Sequence, residues 1–175
     1  MAIGFKLASE SLTGSLLRTL AASKPGGSFL ELGTGTGIGT AWLLAGMDPT
    51  SNLISVENDK KFIEVALRFL SGDPRVTFRN EDAAQLINGL PARSFDLVFA
   101  DTWAGKYTHL NEALELLKLG GIYVIDDMLP QPTWPEDHPP KVERLIADLE
   151  NRSELTITKI NWASGLIIAA KKCDA

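Results

Sequence analysis

The chain has 175 residues, 45% hydrophobic and 22% charged, a balance that fits one globular domain and excludes a disordered or fibrous one. Asp and Glu number 22 against 17 Lys and Arg, and the net charge of −5 argues against bulk binding to nucleic acid or to an anionic membrane surface. A single cysteine, Cys173, excludes an internal disulfide and a cysteine-rich metal framework, and no apolar run reaches the about 20 residues that span a bilayer.

Residues 1–27 read as a helical leading segment, with helical periodicity over Ser9–Ala22 closed by Lys24-Pro25-Gly26-Gly27. Lys6, Glu10 and Arg18 within it do not make a secretory signal, so a cytoplasmic location is expected. Short strand-like runs follow at Ser28–Leu32, Asn52–Val56, Arg75–Phe78, Phe95–Ala100 and Gly121–Ile125. Helical stretches lie between them. Thr40-Ala41-Trp42-Leu43-Leu44 starts one, and Lys60–Leu70 places Phe62, Ile63, Ala66, Phe69 and Leu70 on one face of another. Ala83–Leu90 and Leu110–Leu119 supply the rest. This alternation predicts right-handed crossovers and a parallel sheet covered on both faces. At the end, Leu155–Ile160 and Gly165–Ala170 are separated only by Asn161–Ser164, too few residues for a crossover helix, so an antiparallel hairpin is expected. The predicted architecture is α/β: one domain over residues 1–175, built on a doubly wound, mostly parallel seven-stranded sheet with a C-terminal antiparallel β-hairpin.

The densest local signal is Phe29-Leu30-Glu31-Leu32-Gly33-Thr34-Gly35-Thr36-Gly37-Ile38-Gly39, a strand running through a glycine turn into a helix. Such a turn lets a ligand approach the backbone closely, and the helix N-terminus behind it suits an anionic group. The loop has no lysine, which removes a P-loop, and Ile38 or Thr40 breaks the dinucleotide spacing in either register. Glu31 just before the first glycine suits a guest that carries an ammonium or sulfonium beside its carboxylate. Tight packing without a guest is the alternative for the turn. Glu57, 24 residues beyond Gly33, lies near the roughly 20-residue offset of a ribose-gripping acid. Its rival role is to cap the helix that begins near Asp59. Asp82 in Asn80-Glu81-Asp82-Ala83 either meets an adenine amino group or caps the helix that follows.

These residues resemble class I S-adenosylmethionine-dependent methyltransferases, and more closely the catechol O-methyltransferase-like branch that acts on small molecules. The likeness runs from about Phe29 to Ala170. It is narrowed to the branch by Phe95-Asp96-Leu97-Val98-Phe99-Ala100-Asp101-Thr102-Trp103 and Gly120-Gly121-Ile122-Tyr123-Val124-Ile125-Asp126-Asp127. The resemblance implies that Glu31, Gly33, Thr34, Gly35, Gly37, Glu57, Asn58, Asp82, Ala83 and Asp101 hold S-adenosylmethionine. It further implies that Asp101, Asp126 and Asp127 hold Mg²⁺ or another divalent cation, Asp127 standing where the branch usually has Asn. Trp103 would form an aromatic wall of the acceptor pocket. The branch's general-base lysine position is Ala104 here. Lys106 and His109 lie close enough to substitute, Lys106 joining Asp101 as the catalytic pair; otherwise both are solvated helix residues.

Residues 128–140 carry five prolines with Trp134 and His138. A loop so stiffened suits an acceptor-site lid with Trp134 against the substrate, and equally a rigid contact in a homodimer. The expected reaction is methyl transfer to a hydroxyl of a small, aromatic acceptor, with a metal-independent transferase and a non-catalytic cofactor binder as alternatives. Nicotinamide chemistry is disfavoured by the glycine spacing. Amino methylation of nucleic acid is disfavoured because Asp101-Thr102-Trp103-Ala104 lacks the Pro-Pro-aromatic motif used there.

Overall fold

The computed structural model describes residues 10–131 and 134–173. Ser9 and Pro132, assigned above to the first helix and to the proline-rich loop, lie outside the described residues. The chain runs α1 (Ser11–Ala22), β1 (Ser28–Leu32), α2 (Ile38–Gly46), β2 (Asn52–Glu57), α3 (Lys60–Leu70), β3 (Val76–Asn80) and α4 (Ala83–Gly89). It continues through β4 (Phe95–Ala100), α5 (Leu110–Glu115), β5 (Leu117–Ile125), α6 (Pro139–Glu150), β6 (Leu155–Ile160) and β7 (Leu166–Lys171). The strands form one seven-stranded sheet of order β3-β2-β1-β4-β5-β7-β6. The first five are parallel, and β7 runs antiparallel to both its neighbours, as the short five-residue link between β6 and β7 requires.

Buried strands of this kind need apolar residues on both faces, and β1 supplies them. Leu30 and Leu32 join Val98, Ala100 and Tyr123 in a core closed by Leu86 of α4, Ala113 of α5 and Leu145 of α6. Phe29, on the opposite face, joins Leu97 and Phe99 beneath Leu17 of α1 and Leu43 of α2. The order of strands reverses between β1 and β4, so a crevice opens above their C-terminal ends. Among the described residues no helix is long and apolar enough to cross a membrane.

Two elements differ from the sequence expectation. The helix expected over Leu110–Leu119 stops at Glu115, because Leu117 is drawn into the sheet opposite Phe95 and begins β5 four residues early. Helix α6 was not anticipated. Val142, Leu145 and Leu149 do fall at helical spacing and are buried, but they follow a proline-rich run that reads as loop. Pro139 and Pro140 open the helix rather than forbid it, since its first turn has no need of their N–H groups.

Candidate active site

The glycine loop is bent by its own backbone hydrogen bonds onto β2: the N–H groups of Gly33 and Thr34 both donate to Val56 O at 3.0 Å. Gly33 has φ +102°, and a Cβ there would lie 2.8 Å from Asp101 O and 3.2 Å from Thr102 Cβ. The ends of β1 and β4 are therefore as close as two backbones can come. Thr34 turns inward, its hydroxyl 2.6 Å from that of Ser55, and Gly37 begins α2 against Ala66 of α3. Neither lines the crevice.

Next to the loop, a cleft of about 300 Å³ is lined by Gly33, Glu57, Asn58, Asp82, Ala83 and Trp103, among others. Glu57 is set by β2. One of its oxygens accepts from the Gly35 N–H and the other from the Asp59 N–H, each at 2.9 Å. The helix behind it is capped by Asp59, whose carboxylate accepts from the Lys61 N–H, so capping does not account for Glu57. Asp82 does cap α4: its Oδ1 accepts from the N–H groups of Ala84 and Gln85 at 2.8 and 3.2 Å. It caps the helix and lines the cleft at once.

Glu31 departs from its expected place. Strand alternation puts it on the Phe29 side of the sheet, pointing into α2, and it is 0% exposed. Thr40 and Ser55 hydroxyls donate to its Oε2, while Gly39 passes directly over Oε1, which has no hydrogen-bond partner. Burial raises its pKa from 4.5 to about 7, opposed by the two hydroxyls and assisted by the charge of Glu57. Its folded-state pKa thus exceeds the unfolded value, so the native state holds the proton more tightly. Stability on this account is full below pH 4.5, declines as pH rises toward 7, and is level above it. The drop is about 3 kcal/mol at 1.4 kcal/mol per pKa unit. Glu31→Gln removes it: thermal melts from pH 4 to 8 should show a falling melting temperature for the wild type that is markedly flattened in the variant.

At the far side of the crevice, Asp101 directly follows β4, and Asp126 and Asp127 directly follow β5. Burial pushes the Asp101 carboxyl well above the usual carboxylate range, the Lys106 charge opposes this, and Asp126, Asp127 and Glu31 add to it. Asp126 is raised by burial as well, despite hydrogen bonds from the Ser164 hydroxyl and, at 2.8 Å, from the Asp127 N–H. Asp127 has a left-handed backbone, φ +59°. Among the described residues no group of three His, Cys, Asp or Glu side chains could hold a metal ion. Both lone pairs of Asp126 Oδ1 face donors, and the Lys106 ammonium lies alongside, 2.9 Å from Asp126 O.

Lys106 is not the solvated helix residue weighed above. It sits in a loop before α5 and is 5% exposed. His109 is the N-cap of α5, left-handed at φ +54°, with an unpartnered Nδ1. Trp103 is half exposed and heads an aromatic cluster: its ring centroid is 5.2 Å from that of Tyr107 and 5.9 Å from that of His138. The Trp134 ring centroid lies 4.4 Å from that of His138. A second cavity of about 400 Å³, between the β4–α5 loop and α6, is lined by Trp103, Lys106, Tyr107, Lys141 and Arg144, among others. It shares Trp103 and Thr108 with the first. Sequence reasoning missed Tyr107 and Lys141 at this wall.

A family model described as a methyltransferase domain matches residues 30–128. Among solved structures, the chain resembles the O-methyltransferase TomG of Streptomyces achromogenes, involved in tomaymycin synthesis and crystallised with SAM. The two share 26% identity, the match covers 95% of this chain and 82% of that one, and the TM-score is 0.82. The Bacillus cereus O-methyltransferase in complex with SAH has the same fold, at 21% identity over 96% of this chain and 84% of that one, TM-score 0.82. A Mycobacterium ulcerans protein named as an O-methyltransferase is 30% identical over 117 residues, 64% of this chain and 52% of that one. The chain thus spans about half the length of the curated relatives it matches.

Proposed function

The chain belongs to the methyltransferase-domain family, and from that premise we propose that it transfers a methyl group from S-adenosylmethionine to a hydroxyl oxygen of a small aromatic acceptor. The observation that carries this reading is the crevice itself. Gly33 gives close backbone approach, Glu57 presents a two-oxygen acceptor for ribose hydroxyls, Asp82 and Ala83 frame an adenine slot, and Trp103 forms the wall toward a second cavity. Donor and acceptor sites that share one wall are what an in-line transfer needs, since the sulfonium already activates the methyl and the protein mainly positions its partners. The aromatic cluster of Trp103, Tyr107, His138 and Trp134 supports an aromatic acceptor, because edge and face contacts favour a flat ring.

Incubation with methyl-labelled S-adenosylmethionine and a panel of catechols, phenols and hydroxycinnamates tests the proposal. Label should appear as a methyl ether on at least one aromatic hydroxyl. Label found only on amines or carboxylates, or on no member while the cofactor still binds, contradicts the acceptor class.

A further inference from the structure

We propose that the Lys106 ammonium is the resident counter-ion of the Asp101, Asp126 and Asp127 cluster, and that it excludes a divalent cation from this site. Carboxylates brought together at the ends of adjacent strands repel one another unless a positive charge lies among them. The backbone is shaped to deliver one. Gly105, at φ +87°, has no room for a side chain: a Cβ would lie 2.6 Å from both Leu32 Cδ1 and the Tyr123 hydroxyl. The buried Tyr123 hydroxyl donates to Gly105 O at 2.8 Å, and the Gly105 N–H donates to Thr108 O at 2.7 Å. The loop is closed further by the N–H groups of Lys106 and Tyr107, which donate to Trp103 O. So fixed, the loop carries Lys106 inward, where Nζ donates to the main-chain oxygen of Asp126 at 2.9 Å.

The charge is felt at both neighbouring acids, since Lys106 opposes the upward shift of Asp101 and of Asp126. A lysine spends most of its desolvation cost when buried without an anion, so its burial here is explained by the cluster it neutralises. An ammonium in hydrogen-bond contact with Asp126 also repels a second cation and blocks the compact oxygen shell that Mg²⁺ requires. The methyl-transfer reading enters only through one consequence, that turnover survives chelators; the ion-binding claim stands apart from it.

Titration with Mn²⁺, followed by the loss of its free-ion paramagnetic resonance signal, tests the proposal on the whole chain. The wild type and Lys106→Arg should show no site at sub-millimolar Mn²⁺. Lys106→Met should bind the ion at least about tenfold more tightly than wild type, a change of ~1.4 kcal/mol. Sub-millimolar binding by the wild type that Asp126→Asn abolishes overturns the proposal. So does a folded Lys106→Met protein as indifferent to Mn²⁺ as the wild type. Should that variant not fold, the wild-type titration decides. Calorimetry with S-adenosylhomocysteine on the same samples reports separately on the cofactor reading, so failure of one is not mistaken for failure of the other.

Discussion

Gly33→Ala should abolish cofactor binding, weakening S-adenosylhomocysteine at least about 100-fold, or ~2.7 kcal/mol. The backbone at Gly33 has φ +102°, where any side chain is strained by roughly 1–3 kcal/mol. Strain is the smaller part of the effect. A methyl group at 2.8 Å from Asp101 O must push the end of β1 away from that of β4. This widens the floor of the crevice at the switch point and moves Thr34 and Gly35 off their anchors on Val56 and Glu57. The melting temperature should fall by about 8 °C, since 1 kcal/mol is worth roughly 2–4 °C in a domain of this size. Isothermal titration on the refolded variant separates the two effects, and near-wild-type affinity would show that the loop does not hold the ligand.

Glu57→Ala should lose affinity about 100-fold, with a loss of stability of at most about 2 kcal/mol. Its carboxylate has two hydrogen bonds to main-chain N–H groups, at Gly35 and Asp59, both near the surface. Their loss costs about 1 kcal/mol each at most, because water replaces them. A ribose diol accepted by an ionised carboxylate is worth more, roughly 1.5–3 kcal/mol for each charged hydrogen bond. The wild type should bind the 2′-deoxy analogue more weakly than S-adenosylhomocysteine, and the variant should cease to distinguish the two. Undiminished discrimination in the variant would mean that the sugar is gripped elsewhere.

The parts of this site that were legible in the chain are those whose geometry is local. The glycine turn follows from residues 33–39 alone, and the short link after β6 leaves no choice but a hairpin. Glu57 could be found because strand and turn fix its offset from Gly33. What escaped was set by distant partners. Glu31 looks like a ligand in one dimension, yet strand alternation turns it toward Thr40 and Ser55. Three acids at strand ends suggested a metal, but the burial of Lys106 beside Asp126 was not legible, because it depends on a loop whose shape is set by Tyr123, eighteen residues from Gly105. Helix α6 was hidden by its own prolines, although its buried positions obey the helical period. Leu117 shows the converse case, a residue in helical register that the sheet claims because Phe95 faces it.

The central claim is that the crevice above β1 and β4 receives an adenosine sulfonium compound rather than a dinucleotide. Calorimetric titration of the wild-type chain with S-adenosylhomocysteine, against NADH under the same conditions, tests it most directly. One saturable site for the nucleoside thioether with no measurable heat from NADH is the predicted result. Silence toward S-adenosylhomocysteine at millimolar concentration, or saturable binding of NADH in its place, would contradict it.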